Sequence, residues 1–281
     1  QNMVALGFIE EKFGKTVTWS EWFLYAAPFS IIMSIVLFFI MIKLIKPETD
    51  VIEGGKEVIA KQLAELGPLK GSEIRLIIIS ITLLFLWATE GALHPFDTTT
   101  VTIIAIALLL APKIGVYSWS EVERLIPWGT IIVFSVGIAL GSVLLNTQGA
   151  QWLSDTIFGT LGLDSMPLLA TIAVVTLFNI LIHLGFASAT SLASALIPVF
   201  IVLASTITAD GDQQIGFVLI QQFVISFGFL LPISAPQNML AYGTGAFTTK
   251  DFLKSGIPLT IIAYILVMIF SATYWQWIGL L

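Results

Sequence analysis

The chain has 281 residues, of which 57% are hydrophobic and only 11% are charged, and its formal net charge is −6. Soluble domains carry about 25% charged residues, so this composition excludes a soluble enzyme and a basic nucleic-acid-binding module. The absence of cysteine also excludes disulfides, thiolate metal sites and cysteine nucleophiles. The composition therefore predicts an all-α polytopic membrane protein that is not an enzyme and binds no nucleic acid.

Long apolar runs predict the membrane crossings, because a spanning helix needs about 20 mostly apolar residues. The five clearest runs are residues 22–42, 74–88, 98–110, 128–145 and 256–277. Two longer stretches, residues 166–205 and 213–247, are interrupted near the middle by Gly, Pro, Ser or Thr. We predict that neither of these two stretches is a single straight helix.

The distribution of basic residues predicts the orientation of the crossings. Lysine and arginine cluster in residues 43–75 and recur at Lys113, Arg124, Lys250 and Lys254. Acidic residues without lysine or arginine occupy the loops 91–97, 148–165 and 206–212. By the positive-inside rule, the basic loops are cytoplasmic and the acidic loops are external. We therefore expect a multi-pass protein of the plasma membrane, with residues 43–75 in the cytoplasm and the C-terminus outside.

The same alternation constrains residues 166–205. If this stretch crossed the membrane once, Lys250 and Lys254 would lie outside and break the charge pattern. We therefore predict a re-entrant helical hairpin that enters and leaves on the external side, with its turn at residues 185–191.

Two segments of the chain resemble each other. The chain begins with Gln1-Asn2-Met3, and the later interrupted stretch contains Gln237-Asn238-Met239. Downstream of each, a matching ungapped segment follows, in which Thr18, Glu21 and Pro28 stand opposite Thr248, Asp251 and Pro258. The predicted orientation gives the two copies opposite topology, which is typical of inverted repeats in secondary transporters. The alternative is chance similarity between apolar sequences; a true repeat predicts that a first half precedes Gln1.

The pattern divides the chain into four segments. Residues 1–48 end a first repeat, 49–72 form a cytoplasmic amphipathic linker that is helical around 56–66, and 73–147 form scaffold helices. Residues 148–281 form part of a transport domain. This part contains an interfacial helix at 152–161, the hairpin 166–205, the broken helix 213–247 and the last helix 256–280.

The two interruptions are the candidate binding site. Unwound backbone at membrane depth survives only where it lines a protein or water cavity. In the hairpin turn, Ser188 and Thr190 offer hydroxyls at the positive N-terminal end of a helix, which suits a carboxylate or phosphate. In the second interruption, residues 232–238, backbone carbonyls and the amide of Asn238 suit a cation instead. The alternative for Ser188 and Thr190 is ordinary helix N-capping.

These two motifs carry a family resemblance. Gly-Phe-Ala-Ser-Ala-Thr at 185–190 and Leu-Pro-Ile-Ser-Ala-Pro-Gln-Asn at 231–238 resemble the second half of the divalent anion:sodium symporter (DASS) family. That family carries a Ser-Asn-Thr hairpin tip and a Thr-Pro-containing break that ends in Asn. The resemblance covers the whole chain as the C-terminal part of a bacterial dicarboxylate exchanger. It implies an elevator-type homodimer in the lipid bilayer that transports malate, succinate, 2-oxoglutarate, citrate or related di- and tricarboxylates.

The resemblance also implies which residues bind substrate. Carried over position by position, and extended through the internal repeat, these residues are Ser188, Ala189, Thr190, Ser234, Pro236, Asn238 and Asn2. The resemblance implies sodium ions at Ser188 and Asn238, and the sequence predicts no other metal or cofactor. Two departures weaken a sodium site, because Ala189 replaces the family's Asn and Ala235 replaces its Thr.

His183 is the candidate that compensates for the missing groups. It is the only ionisable residue between Ser165 and Ala209. Because a charge at mid-membrane costs about 2.5–3.5 kcal/mol on insertion scales, such residues are functional candidates. A protonated His183 would partly neutralise a bound dianion, whereas the alternative is a neutral histidine hydrogen-bonded between helices. Our hypothesis is sodium-independent anion exchange. A sodium-coupled symporter is the close rival, and an anion channel or a non-transporting membrane subunit is the alternative from another class.

Overall fold

The computed structural model describes residues 1–45 and 54–281, apart from the side chain of Pro236. Residues 49–53 of the predicted linker lie outside the described residues. The described part is helical and contains no β-strand, which confirms the all-α prediction. Its helices are α1 (Asn2–Phe13), α2 (Trp19–Leu44), α3 (Gly55–Leu66), α4 (Gly71–Ala88), α5 (Thr98–Leu110), α6 (Trp119–Val122), α7 (Trp128–Asn146), α8 (Gly149–Phe158), α9 (Leu168–Ile182), α10 (Ala189–Ile207), α11 (Gly211–Ile225), α12 (Pro236–Gly243), α13 (Thr249–Ala272) and α14 (Tyr274–Trp277).

Six helical segments in the described ranges are long and apolar enough to cross a membrane. They are Trp19–Leu44, Gly71–Ala88, Trp128–Asn146, Leu168–Gly185, Ala189–Ile207 and Thr249–Trp277. The chain is therefore a polytopic membrane protein, as its composition predicts. The predicted crossing at α5 has only 13 residues. At 1.5 Å per residue it extends about 20 Å, which is less than the hydrocarbon thickness of a bilayer.

The chain forms two compact units. The first contains residues 1–17, 25–45 and 128–281. The second contains residues 18–24 and, among the described residues, 54–127. In the first unit, α10 packs against α7, α8 and α11, and α11 packs against α1 and α9. In the second, α4 packs against α5. The division into scaffold and transport segments stays a prediction.

Helix α11 lies at the centre of the first unit. Every residue from Ile215 to Ile225 is buried, including Gln221 and Gln222. A helix that is buried on all sides must satisfy its polar side chains through other helices, because water does not reach them. Helices α1 and α7 of the same unit also approach each other closely, since a Cβ at Gly141 of α7 would lie 2.1 Å from Cζ of Phe8 in α1.

The two copies of the sequence repeat share their local structure. In the first copy, the Thr18 N–H donates to the Glu21 carboxylate at 2.9 Å, and the Glu21 N–H donates to the Thr18 hydroxyl at 3.2 Å. In the second copy, Thr248 and Asp251 make the same reciprocal pair at 3.0 and 3.3 Å. Each copy thus begins its long helix with a capping box. That the copies have opposite topology stays a prediction.

The two interruptions lie slightly earlier in the chain than the sequence predicts. Helix α9 ends at Ile182, a 3₁₀ turn covers His183–Gly185, and α10 already begins at Ala189. Helix α11 ends at Ile225 and α12 begins at Pro236, so Asn238 is helical rather than unwound. Proline suits the first position of a helix, because the N–H that it lacks would have no partner there. The second unwound segment is therefore residues 226–235.

Asp97 caps α5 and gives a pH-dependent prediction. Its carboxylate accepts the Thr100 hydroxyl at 2.6 Å and the Thr100 N–H at 2.9 Å. These hydrogen bonds lower the pKa of Asp97 below its ordinary value of 3.8, the hydroxyl bond contributing most. The resulting stability is present above the unfolded-state pKa and is lost as pH falls through the lower folded-state pKa.

We therefore expect an Asp97→Asn variant to match the native melting temperature near neutral pH, since asparagine also caps helices well. Below about pH 4 the native protein should lose melting temperature that the variant does not lose. Thermal melting of both proteins in detergent between pH 3 and 7 measures the difference. Parallel acid profiles for the two proteins would contradict the assignment.

Candidate functional site

The hairpin tip forms one side of the candidate site. Ser188 ends the turn, and its hydroxyl accepts the Ser191 N–H at 3.3 Å as the N-cap of α10. N-capping is the alternative role that the sequence analysis gave for Ser188. The first N–H groups of a helix have no acceptor within the helix, so those of Ala189 and Thr190 point out of the start of α10. The tip therefore contains the N-terminal end of a 19-residue helix, which carries the positive end of the helix dipole.

The break between α11 and α12 forms the other side. Asn238 reaches back across the break, and its Nδ2 donates to the Gly228 carbonyl at 2.8 Å. Its Oδ1 is thus the atom left to accept a donor or ligate a cation. Ser234 lies in the 3₁₀ turn Pro232–Ser234 and is buried. The break is consequently an ordered segment whose polar groups are held in place.

His183 connects the tip to the break. It is buried, and its Nε2 lies 3.0 Å from the backbone carbonyl oxygen of Ile225, the last residue of α11. Because a carbonyl oxygen only accepts, Nε2 carries the proton and donates it. The structure thus contains the hydrogen bond between helices that the sequence analysis gave as the alternative role of His183.

Gly228 is where the two sides meet. A Cβ at this position would lie 3.2 Å from Cβ of Ser234 and 3.5 Å from Cε1 of His183. Because glycine has no Cβ, the side chains of His183 and Ser234 both pack against the face of Gly228 that a side chain would occupy. Its carbonyl also accepts Asn238. The structure brings together His183, Ser234 and Asn238, and sequence reasoning did not identify the residue that joins them.

A buried polar network joins α9 to α11 next to this region. Asn179 donates through Nδ2 to the Gln221 backbone carbonyl at 2.9 Å, and Gln221 donates through Nε2 to the Thr176 hydroxyl at 3.2 Å. All three side chains are fully buried. The sequence contained two signals for this network. Asn179 lies one turn before His183, and Gln221 interrupts an otherwise apolar run.

The first Gln-Asn-Met copy reaches the same end of α11. Gln222 donates through Nε2 to Oδ1 of Asn2, and Gln1 donates through Nε2 to the Ser226 hydroxyl at 2.6 Å. Asn2 and Asn238 therefore approach residues 222–228 from two different helices. The structure places Asn2 beside Gln222, near the end of α11, and its role in substrate binding stays a prediction.

The predicted tip residues and the predicted break residues are not all in contact. In the described part of the chain, no hydrogen bond joins Ser188 or Thr190 to Ser234 or Asn238. Ala189 lies in the first turn of α10, and Pro236 is the first residue of α12. Among the described residues no three His, Asp or Glu side chains are grouped to hold a metal ion.

The electrostatics of the site suit an anion. Residues 213–249 contain no Asp, Glu, Lys or Arg. Residues 166–208 also contain none, and their one ionisable side chain is His183. A negative ligand would therefore meet helix N–H groups, hydroxyls and amides without a repelling carboxylate.

Comparison with known proteins identifies the family. The sodium:sulfate symporter transmembrane region matches residues 1–281, which is the whole chain. The chain belongs to this transporter family. The resemblance of its two motifs to the DASS family is thereby confirmed.

The relatives are longer than this chain, and two of those described below are named as transporters. A membrane protein of Cupriavidus necator is 45% identical over 99% of this chain and 54% of its own length. The sodium-dependent dicarboxylate transporter SdcS of Staphylococcus saprophyticus is 24% identical over 95% of this chain and 53% of its own length. The L-tartrate/succinate antiporter of Escherichia coli is 26% identical over 100% of this chain and 56% of its own length. The chain thus spans about half the length of these relatives.

Proposed function

We propose that the protein containing this chain is a secondary active transporter of small di- and tricarboxylates. The observation that carries the proposal is the meeting of the hairpin tip and the broken helix at Gly228, with His183, Ser234 and Asn238 around it. Two interrupted helices that face each other at membrane depth are typical of an occluded transport site. The names of the dicarboxylate transporter and the tartrate/succinate antiporter support the substrate class.

The proposed binding mode divides the substrate between the two sides. One carboxylate accepts hydrogen bonds from the first N–H groups of α10 and from the hydroxyls of Ser188 and Thr190. The other end of the substrate meets Ser234 and Asn238 of the break. Asn2 contributes from the first Gln-Asn-Met copy, and a matching hairpin from the other half of the transporter completes the site.

Anion exchange is the proposed mode of transport. Ala189 and Ala235 carry no oxygen or amide in their side chains, so they remove ligands from the sodium sites that the family resemblance implies. His183 supplies charge instead, because a second proton on Nδ1 would make it cationic without breaking the Nε2 bond to Ile225. Sodium-coupled symport through Ser188 and Asn238 is the alternative, and the sodium-dependent relative supports it.

The proposed topology is an inverted repeat that works as an elevator in a homodimer. Residues 43–75 are cytoplasmic and the C-terminus is external. The ion pair of Lys15 with Asp212, at 2.7 Å, supports this topology. It joins the connector after α1 to the start of α11, and both segments are predicted to be external.

Uptake into proteoliposomes tests the proposal. The full-length protein is reconstituted with unlabelled malate inside, and uptake of labelled malate or succinate is followed with and without sodium. We expect uptake that requires internal dicarboxylate and ignores sodium. Uptake into empty vesicles that requires sodium would establish symport instead. No saturable uptake of either label, under any of these conditions, would contradict the carboxylate assignment.

A further inference from the structure

A cavity in the second unit lies outside the proposed transport site. Its volume is about 190 Å³, and it lies between α4 and the segment from α5 to Ile114. Its walls are Ile78, Ile79, Leu108 and Ile114, and its one charged lining residue is Arg75. An apolar groove lined by one cationic side chain is complementary to a molecule that has a hydrocarbon chain and an anionic head group.

The guanidinium of Arg75 is held at the start of α4. Its Nη2 donates to the Gly115 carbonyl at 3.2 Å, and its Nη1 lies 3.8 Å from the Cβ position of Gly71, the first residue of α4. The loop that supplies Gly115 folds back onto α5, because the Val116 N–H donates to the Leu109 carbonyl at 2.8 Å. The exposed Arg75 side chain is thus oriented beside the start of α4 by one hydrogen bond and keeps further N–H groups to offer an anion.

The residues near Arg75 in the sequence are typical of a membrane surface. Lys70 precedes α4, Lys113 precedes the lining residue Ile114, and both side chains are exposed. The acidic residue nearest to Arg75 in the sequence is Glu73. Its carboxylate accepts the backbone N–H of Lys70 at 2.7 Å. Exposed Tyr117 and Trp119 follow in the same loop, and such aromatic residues mark the headgroup level of a bilayer.

We propose that this cavity binds an anionic phospholipid. Part of one acyl chain lies against Ile78, Ile79 and Leu108, and the phosphate accepts hydrogen bonds from Arg75. Charge complementarity selects this occupant over a zwitterionic lipid, because basic groups on the predicted cytoplasmic side attract anionic headgroups. The site is separate from the hairpin and the broken helix, so it does not depend on the proposed transport function.

Native mass spectrometry of the full-length protein in mild detergent tests the site. Phosphatidylglycerol or phosphatidylcholine is added, and the bound lipid is counted. We expect Arg75→Gln to lower phosphatidylglycerol retention about fivefold, which corresponds to one basic group at an anionic surface. Arg75→Lys should recover most of the retention, because it restores the charge. Ile79→Trp should lower retention by filling the cavity while leaving Arg75 in place.

Arg124→Gln is the matched control, because Arg124 is an exposed arginine of the same unit that does not line the cavity. We expect this variant to retain phosphatidylglycerol as the native protein does. Equal losses in Arg75→Gln and Arg124→Gln would show non-specific attraction and overturn the site. Equal retention of the two lipids by the native protein, or unchanged retention in Ile79→Trp, would also overturn it.

Discussion

A Gly256→Ala variant should lose transport. A Cβ at Gly256 would lie 1.9 Å from the carbonyl oxygen of Phe229 and 3.0 Å from its carbonyl carbon, both backbone atoms of the break. Backbone cannot swing aside as a side chain does, so α13 or residues 226–235 must move. Overpacking of this kind costs about 1–3 kcal/mol or more, and the displaced segment carries Ser234 and the acceptor of Asn238.

We expect carboxylate uptake by Gly256→Ala to fall about tenfold or more, which corresponds to a misplacement worth at least 1.4 kcal/mol. Uptake into proteoliposomes measures the loss, and thermal melting in detergent measures the accompanying change in stability. Gly243→Ala is the control, because Gly243 lies in α12 near the same break and has no atom within 4 Å of its Cβ position. Native uptake by Gly256→Ala would show that the break tolerates displacement and has no part in binding.

A His183→Ala variant should lower exchange strongly and also destabilise the protein. The substitution leaves the Ile225 carbonyl buried without its donor, which costs about 1–3 kcal/mol. It also removes the one group in residues 166–208 that is able to carry a positive charge. The two effects are separable, because His183→Gln restores an N–H donor and does not restore the charge.

We expect His183→Gln to recover most of the melting temperature and little of the exchange. Dicarboxylate counterflow in sodium-free proteoliposomes gives the exchange rate for the native protein and both variants. Full recovery of exchange by His183→Gln would make His183 a neutral positioning residue. Sodium-dependent uptake that His183→Ala leaves unchanged would rule out the charge-compensating role altogether.

His94→Gln is the matched control for both His183 variants. His94 is the second of the two histidines, and its Nε2 also donates to a helix carbonyl, that of Leu86 at 2.8 Å. The substitution thus changes the same kind of bond in the other compact unit. We expect His94→Gln to exchange dicarboxylates as the native protein does, so a loss there would signal general destabilisation.

Much of the fold was predictable because its signals are local. A run of about 20 apolar residues specifies a spanning helix without reference to any other part of the chain. The helix predicted around residues 56–66 is α3, Gly55–Leu66. The breaks were located to within a few residues, since each combines a Gly or Pro with neighbouring Ser or Thr inside a long apolar stretch, whereas a lone proline such as Pro198 lies within a continuous helix. The start of α10, with Ser188 as its N-cap, agrees with the prediction, whereas α12 begins at Pro236 inside the segment that the sequence predicted to be unwound.

The candidate site was predictable only in part. Ser188, Thr190, Ser234 and Asn238 were predicted because they lie in the interruptions or in the first turn of the helix that follows. Their role in binding stays a prediction. Gly228 and Gly256 were missed, since a glycine that allows close approach looks the same in the sequence as one that ends a helix. Asn179 and Gln221 were missed although each interrupts an apolar run, because nothing local in the sequence shows that two polar residues 42 positions apart meet.

The sequence by itself determined that this is an all-α membrane protein of a known transporter family, which residues form its helices and where two of them break. The tertiary structure decided which residues meet. His183 contacts a carbonyl 42 residues away, and Gln222 contacts Asn2 across 220 residues. Hydropathy and turn propensity act over a few neighbouring residues. Contacts between distant helices depend instead on how complete helix faces pack, and in this protein the packing surrounds α11 on every side.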